Sequence, residues 1–412
     1  MVLGDRAVAI RRSPWLLIGG FALVVRLAYW AVLTPSWRPQ SDAAQYVDVA
    51  RNLARGHGYA SAFPQIIVHA TAFRPPLYPA LLAPFMWLGG NALWPARLLN
   101  ALIGTAVVIL AGMYAESIGG RRSGVVTACL VAVYPPLLAN DTVTLTEPLA
   151  LALLLVALLA VDRRRWALSG IACGLFILTR PNGYLFALLV VGFVAMTLGW
   201  RRGLGCLVIV LAVVTPWLVR NEIQVGTWQL ATSDGFTVAA IYAPAAQRAG
   251  TFVDPVFAPD YQTLDDRLLR FDEARWSKHL MTLGLHGAAD HPDYVWRTVR
   301  RNARAYFEIS PSLNTRAEEI DGRHKLLRTL SLPLFYAVTV VGLVGLVRFR
   351  RDRRVLLLGL ITAQFVAVSL LLVAPPRLRA PFDLACCIGV GLAFSRERRQ
   401  ETTPMLDAAG VP

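Results

Sequence analysis

Seven charged residues could carry the chemistry of this chain: Asp42, Glu147, Arg26, Arg74, Arg180, Arg377 and Arg379. Guanidinium groups grip a phosphate bidentately, and a carboxylate beside them can take a proton from a hydroxyl. Taken singly, each has a plainer reading. Asp42 suits the N-cap of a helix running from Ala43 to Arg55. Asp48 and Arg51 suit a surface pair on that helix, and Arg55 and His57 suit its C-terminal dipole. Glu147 opens the apolar helix EPLALALLLVALLA, where the dipole favours an acid. Yet Asp141, Thr142, Thr144 and Thr146 surround it with a polar mouth at the edge of an apolar run. Arg26 is costlier, because it lies within the apolar run Trp15 to Thr34. Ionisable side chains at that depth face a cavity or a partner, and an anionic headgroup would satisfy this one.

The elements that must position these residues follow from composition. The chain has 412 residues, of which 56% are hydrophobic and 16% charged, and its mean hydropathy is +0.50. Soluble domains average about 45–50% apolar and about 25% charged. This is a polytopic membrane protein, with the lipid bilayer as its first partner. Its net charge of +15 sits in short clusters between apolar runs, which mark topology rather than a nucleic-acid groove. Nucleic acid is therefore not a partner. The five cysteines all lie in apolar runs without metal-ligand spacing and read as packing residues. Arg6, Arg11 and Arg12 precede a run too long for a signal peptide, which reads as a retained anchor.

Apolar runs near 15–34, 96–118, 123–139, 147–161, 166–181, 182–199, 203–219, 331–347, 355–374 and 380–394 predict about ten spans in an all-α bundle. The Pro-rich stretch 75–90 reads as a short broken helix at the interface. If it does not cross, Arg121/Arg122, Arg163–Arg165, Arg201/Arg202, Arg348–Arg354 and Arg396–Arg399 all share the side of Arg11/Arg12. The positive-inside bias selects that arrangement. Both termini are then cytoplasmic, and the segments 35–95 and 220–330 are extracytoplasmic. The second combines a strand-like piece, TWQLATSDGFTVAAIYAP, with the amphipathic HPDYVWRTVRRNARAYFEI. The expected division is an N-terminal membrane module over 1–220, a small cap over 221–330, further membrane helices over 331–396, and a cytoplasmic tail over 397–412.

Six segments occur in order: SDAAQYVDVARNLARGHGY, FRPPLYPALLAPFMWLGG, LTEPLALALLL, LTRPNGYLFAL, TPWLVRNEIQVG and PPRLRAPFD. Together they resemble the GT-C glycosyltransferases of the protein O-mannosyltransferase and lipid A aminoarabinose transferase superfamily. The likeness is strongest over 15–240 and returns at 375–390. It implies a GT-C-like helix bundle in the inner or plasma membrane, with interfacial helices in the first outer loop. It also implies transfer of a sugar from a polyprenyl-phosphate donor to a glycan, lipid or protein acceptor on the outer side. Asp42 corresponds to the family's proposed base and Glu147 to the acid opening the LTEPL-like helix. Arg74 and Arg180 correspond to donor-phosphate contacts, joined by Arg377, Arg379 and Arg26 on the chain's own charge pattern. Many relatives carry a second acid beside the first, whereas Ala43 follows Asp42 here. No metal site is therefore expected; Asp42 and Glu147 would hold a divalent ion if one binds. A transporter or flippase of a lipid-linked sugar would need similar arginines. Against it, no inverted repeat is visible. A non-catalytic envelope-assembly protein would show no dependence on Asp42.

Overall fold

The computed structural model describes residues 14–65, 67–90, 92–314 and 320–395; the arginines at 6, 11, 12 and 396–399 and the tail lie outside them. All ten expected apolar segments are helical. Five are long and apolar enough to cross a membrane: Pro14–Leu33, Trp94–Gly119, Trp200–Val225, Lys325–Arg348 and Arg353–Leu371. A sixth forms if Arg121–Val133 and Pro135–Asp141 count together, bent by 62° at the Pro135 break. The other four are shorter: Glu147–Asp162, Trp166–Ile177, Gly183–Leu198 and Ala380–Ala393. Length alone thus supports five or six crossings, where hydropathy pointed to about ten.

Glu147–Asp162 is short because it is enclosed. Its leucines and alanines are apolar all round, and twelve of its residues are buried, as befits a core helix rather than a lipid-facing one. Lipid-facing positions such as Leu16, Val32, Met196 and Ile223 are exposed on the outer helices. Small residues permit the tightest crossing, between Lys325–Arg348 and Ala380–Ala393. A Cβ on Gly345 would lie 1.9 Å from the Gly389 carbonyl oxygen, so only glycine allows this approach of two backbones.

The charge clusters around Arg121, Arg163 and Arg354 share one end of the bundle. Arg354 donates to Asp162 (3.0 Å) and to the Ser117 carbonyl (2.8 Å). Asp162 closes the helix that Glu147 opens, so the Glu147 end is the far end from these basic clusters. Leu77–Gly89 is a 13-residue apolar helix that runs on through Pro84; it is short, as its prolines suggested, but not broken.

One expectation fails in the cap. The strand-like TWQLATSDGFTVAAIYAP instead contains the helix Ser233–Tyr242, which packs on Glu273–Asp290. Its β-branched and aromatic residues favour strands only weakly, and tertiary packing overrides them. The amphipathic stretch does form a helix, Pro292–Tyr306. Among the described residues the one sheet is a two-residue antiparallel hairpin, Ala60–Ser61 with His69–Ala70.

A buried carboxylate joins this hairpin to the cap. Glu273 accepts from Thr71 Oγ1 (2.7 Å), the Ala72 amide (2.9 Å) and Thr232 Oγ1 (2.6 Å). His69 Nε2 lies 3.0 Å from it. Partial burial of His69 works against its protonated form, but the hydrogen bond and charge of Glu273 and the hydrogen bond to the Ile67 carbonyl together outweigh this and raise its pKa above the ordinary 6.5. Stabilisation from the charged pair is therefore fully present below that ordinary value. It is lost as pH rises through the higher folded-state value. We expect hydrogen exchange of the Ala60–Ala70 hairpin to speed up across that window, and Glu273→Gln to abolish the pH dependence. Exchange independent of pH in the native chain, after correction for intrinsic rates, would contradict the clamp.

Candidate functional site

Five of the seven candidate residues meet at the Glu147 end of the bundle. Asp42 lies in the first turn of Ser41–Ala54. The helix starts before it, so its side chain makes no N-cap bond. One carboxylate oxygen instead accepts from Arg74 Nη2 and the other from Arg377 Nη2, both in short ion pairs. Arg180 Nη1 and Arg377 Nη1 approach Glu147 Oε1 at 3.5 and 3.8 Å. Arg377 Nε lies 3.4 Å from Asp321, an acid that the sequence reading passed over. Three carboxylates and three guanidiniums thus interleave, with Arg377 touching all three acids.

Local structure explains how each is held. Arg74 follows the clamped segment Thr71–Ala72. Its Nε donates to Gln45 (2.6 Å), and its guanidinium stacks over the Phe73 and Tyr46 rings at 5.1 and 5.5 Å. The Tyr59 hydroxyl donates to the Arg74 and Pro75 carbonyls (2.8 and 2.9 Å). The Leu77 amide donates to the Leu178 carbonyl (2.9 Å), which ties the FRPP segment to the LTRP turn and brings Arg74 beside Arg180. Arg377 sits in the turn Pro376–Arg379, which Pro375 and Pro376 keep from joining the preceding span. Glu147 follows a non-helical stretch inside the bundle, where unpaired carbonyls would be costly. Arg97 donates to the Thr142 carbonyl (2.7 Å), and Asn100 donates to those of Val143 and Leu145, the latter at 2.9 Å.

The acids differ in availability. Burial alone would raise the Asp42 carboxyl, but the guanidiniums of Arg74 and Arg377, with Arg180 behind them, hold it well below the usual carboxylate range. Asp321 is 4% exposed. Its burial outweighs Arg377 and Arg323 and pushes it up to about 6. Asp321 Oδ2 and both oxygens of Glu147 are buried without a hydrogen-bond partner, a costly state that the hydroxyl donors of a bound sugar or acceptor would relieve. The one sequence signal for Asp321 is its place just before an apolar helix, mirroring Asp42 just after one.

The remaining candidates lie elsewhere. Arg26 is fully buried and gives both Nε (2.9 Å) and Nη2 (2.7 Å) to Asp141. Arg379 is spent on Asp383 (3.1 Å), the Tyr306 carbonyl (2.7 Å) and Glu308 (3.4 Å). Arg220, at the same face, clamps the hairpin through the Thr71 and Tyr59 carbonyls (2.6 and 2.8 Å). Asp48 accepts from Ser61 (2.7 Å), a long-range tie from the helix to the hairpin.

A divalent cation fits this donor set poorly. Both Asp42 oxygens are occupied by guanidiniums, and the space between the three acids is filled by the Arg377 guanidinium. Among the described residues no group of three or more His, Cys, Asp or Glu side chains is placed to hold a metal ion. The arrangement suits an oxyanion that draws the arginines from the acids.

Residues 73–219 match the family model for dolichyl-phosphate-mannose-protein mannosyltransferases. That span holds Arg74, Glu147 and Arg180, and leaves out Asp42, Asp321 and Arg377. No curated protein matches the chain. Among solved structures it is similar to the Archaeoglobus fulgidus oligosaccharyltransferase in complex with zinc and sulfate. That match has a TM-score of 0.52 and 16% identity, over 92% of this chain and 48% of the other. The apo form of the same enzyme matches with a TM-score of 0.52 and 14% identity, over 93% and 50%. ArnT from Cupriavidus metallidurans, in the apo state, matches with a TM-score of 0.41 and 16% identity, over 92% and 76%. The chain spans about half the length of the oligosaccharyltransferase. The fold is a GT-C-like transmembrane helix bundle, and the family match covers FRPPLYPALLAPFMWLGG, LTEPLALALLL and LTRPNGYLFAL in full among the six ordered segments.

Proposed function

We propose that this protein transfers a sugar from a polyprenyl-phosphate donor to a hydroxyl-bearing acceptor, with inversion at the anomeric carbon. The observation that carries the reading is the Asp42–Arg74–Arg377 cluster with Arg180 and Glu147 at the membrane-face end of the bundle. The match of 73–219 to a family named for a polyprenyl-phosphate sugar supports it. The prenyl tail remains in lipid while its phosphate enters between the arginines. The acceptor oxygen attacks the anomeric carbon as its proton passes to a carboxylate. The bond from that carbon to the phosphate oxygen breaks, and the electron pair leaves with polyprenyl phosphate. Its charge grows from one negative to two, which the guanidiniums stabilise.

Asp42 is the proton acceptor in this scheme, and the scheme makes it conditional on the donor. With both oxygens paired to arginine it is a weak base, since a base works best with a pKa near the working pH. A bound phosphate competes for Arg74 and Arg377 and so frees Asp42. The site faces outward, and both termini lie in the cytoplasm with the basic clusters.

The arginines offer the first test. Arg74→Ala and Arg180→Ala are each expected to weaken donor binding roughly tenfold to a hundredfold, from about 1.5–3 kcal/mol per charge-assisted hydrogen bond. Lysine would rescue only in part, because it lacks the bidentate fork. Titrating a fluorescent polyprenyl-phosphate sugar into each purified variant reads the effect. Native affinity in both alanine variants would remove the phosphate role.

A further inference from the structure

The helix Pro292–Tyr306 and the turn after it form a groove that includes no residue of the Asp42 cluster. Arg297, Arg300, Arg301 and Arg304 recur at helical spacing and share one face. With Ser310 and Ser312 they line a groove of about 320 Å³. Arg297 pairs with Asp293 at 2.7 Å, and Arg301 donates to the Gly250 carbonyl. The guanidinium groups of Arg300 and Arg304 have no hydrogen-bond or ion-pair partner among the described residues. Four guanidiniums within two turns repel one another, with one acid between them. An anion bound among them would relieve that repulsion.

The opposite face of the helix says where the groove lies. Tyr294, Thr298, Asn302, Ala305 and Tyr306 are buried. Asn302 Nδ2 donates to the Leu370 and Leu372 carbonyls (3.0 and 2.9 Å), at the end of the span Arg353–Leu371. The helix is thereby pinned at the membrane face where that span stops. Trp296 and Ile309 are well exposed near the arginines, and Leu313, exposed too, lines the groove itself. Tryptophan with aliphatic side chains beside arginine is the pattern of an element seated among headgroups.

We propose that this groove binds the phosphate of an anionic membrane lipid, at a site separate from the Asp42 cluster. Arg300 and Arg304 grip the phosphate, the hydroxyls of Ser310 and Ser312 donate to its remaining oxygens, and the acyl chains run beside Leu313 and Trp296. The exposed apolar side chains favour a lipid over a soluble phosphate, which would gain nothing from them.

Native mass spectrometry of the detergent-purified full chain tests this, with phosphatidylglycerol, phosphatidylcholine and inorganic phosphate as probes. The native chain is expected to retain phosphatidylglycerol at least about tenfold more tightly than phosphatidylcholine, and R300Q/R304Q to lose about tenfold or more of that affinity. Both positions are exposed, and melting temperature confirms that the variant is folded. The comparison of the two lipids on the native chain needs no variant. Equal retention of the two lipids would overturn the proposal, as would unchanged phosphatidylglycerol binding in R300Q/R304Q. Inorganic phosphate displacing the lipid at equal concentration would overturn the lipid as its source.

Discussion

Asp42→Asn is expected to lower turnover by about 10²–10⁴-fold, the usual contribution of a positioned general base, while melting temperature changes little. Asparagine keeps the size of the side chain, and its amide oxygen still accepts from one arginine. Because Asp42 makes no cap bond, the helix Ser41–Ala54 does not depend on its charge. Donor affinity should hold or rise, since Arg74 and Arg377 lose their competing carboxylate. A merely structural Asp42 would give a different pattern: turnover near native and a lower melting temperature. Asp321→Asn is the informative companion. Its free oxygen and its pKa near 6 make it the other proton acceptor in reach. If Asp321→Asn abolishes turnover while Asp42→Asn spares it, the base is Asp321.

Arg377→Ala should be the most damaging change for both stability and activity. It leaves Asp42, Glu147 and Asp321 without their shared cation, and Glu147 is 1% exposed. Removing one partner from a buried ion network costs about 3–5 kcal/mol. Part of that cost is recovered when the orphaned acids take up protons, so the variant should be more stable at pH 5 than at pH 8. Arg377→Lys should keep part of the stability, since the charge remains among the acids, but little of the donor affinity, since an ammonium lacks the bidentate fork. Thermal unfolding at the two pH values, together with donor titration, checks both statements. An Arg377→Ala protein as stable as the native one at pH 8 would show that the network is not coupled through this residue.

Much of this site was legible before any coordinates. Polar residues at the ends of apolar helices are costly unless partnered, so Asp42, Arg74, Glu147, Arg180 and Arg377 stood out, and they converge. Arg26 and Arg379 stood out on the same grounds and were spent elsewhere. A buried guanidinium reads alike in sequence whether its anion is a ligand or a distant carboxylate. The partner of Arg26, Asp141, lies 115 positions away. Arg379 meets Glu308 71 positions away, although its bond to Asp383, one helical turn on, was within reach of spacing. Asp321 hid in a stretch without periodicity, and only the fold brings it to Arg377. The helix Ser233–Tyr242 was misread because burial against Glu273–Asp290 decides its conformation, and local propensity does not.

The central claim is that the arginine–carboxylate cluster hands a sugar from a polyprenyl-phosphate donor to an acceptor. Its most direct test reconstitutes the purified full chain in vesicles with a panel of polyprenyl-phosphate sugars and an envelope extract as acceptor, and follows released polyprenyl phosphate. The prediction is release from at least one donor, with the sugar recovered in the extract and the release lost in Asp42→Asn. Donor that binds the native protein yet releases no more polyprenyl phosphate than with Asp42→Asn, across the whole panel, would contradict it.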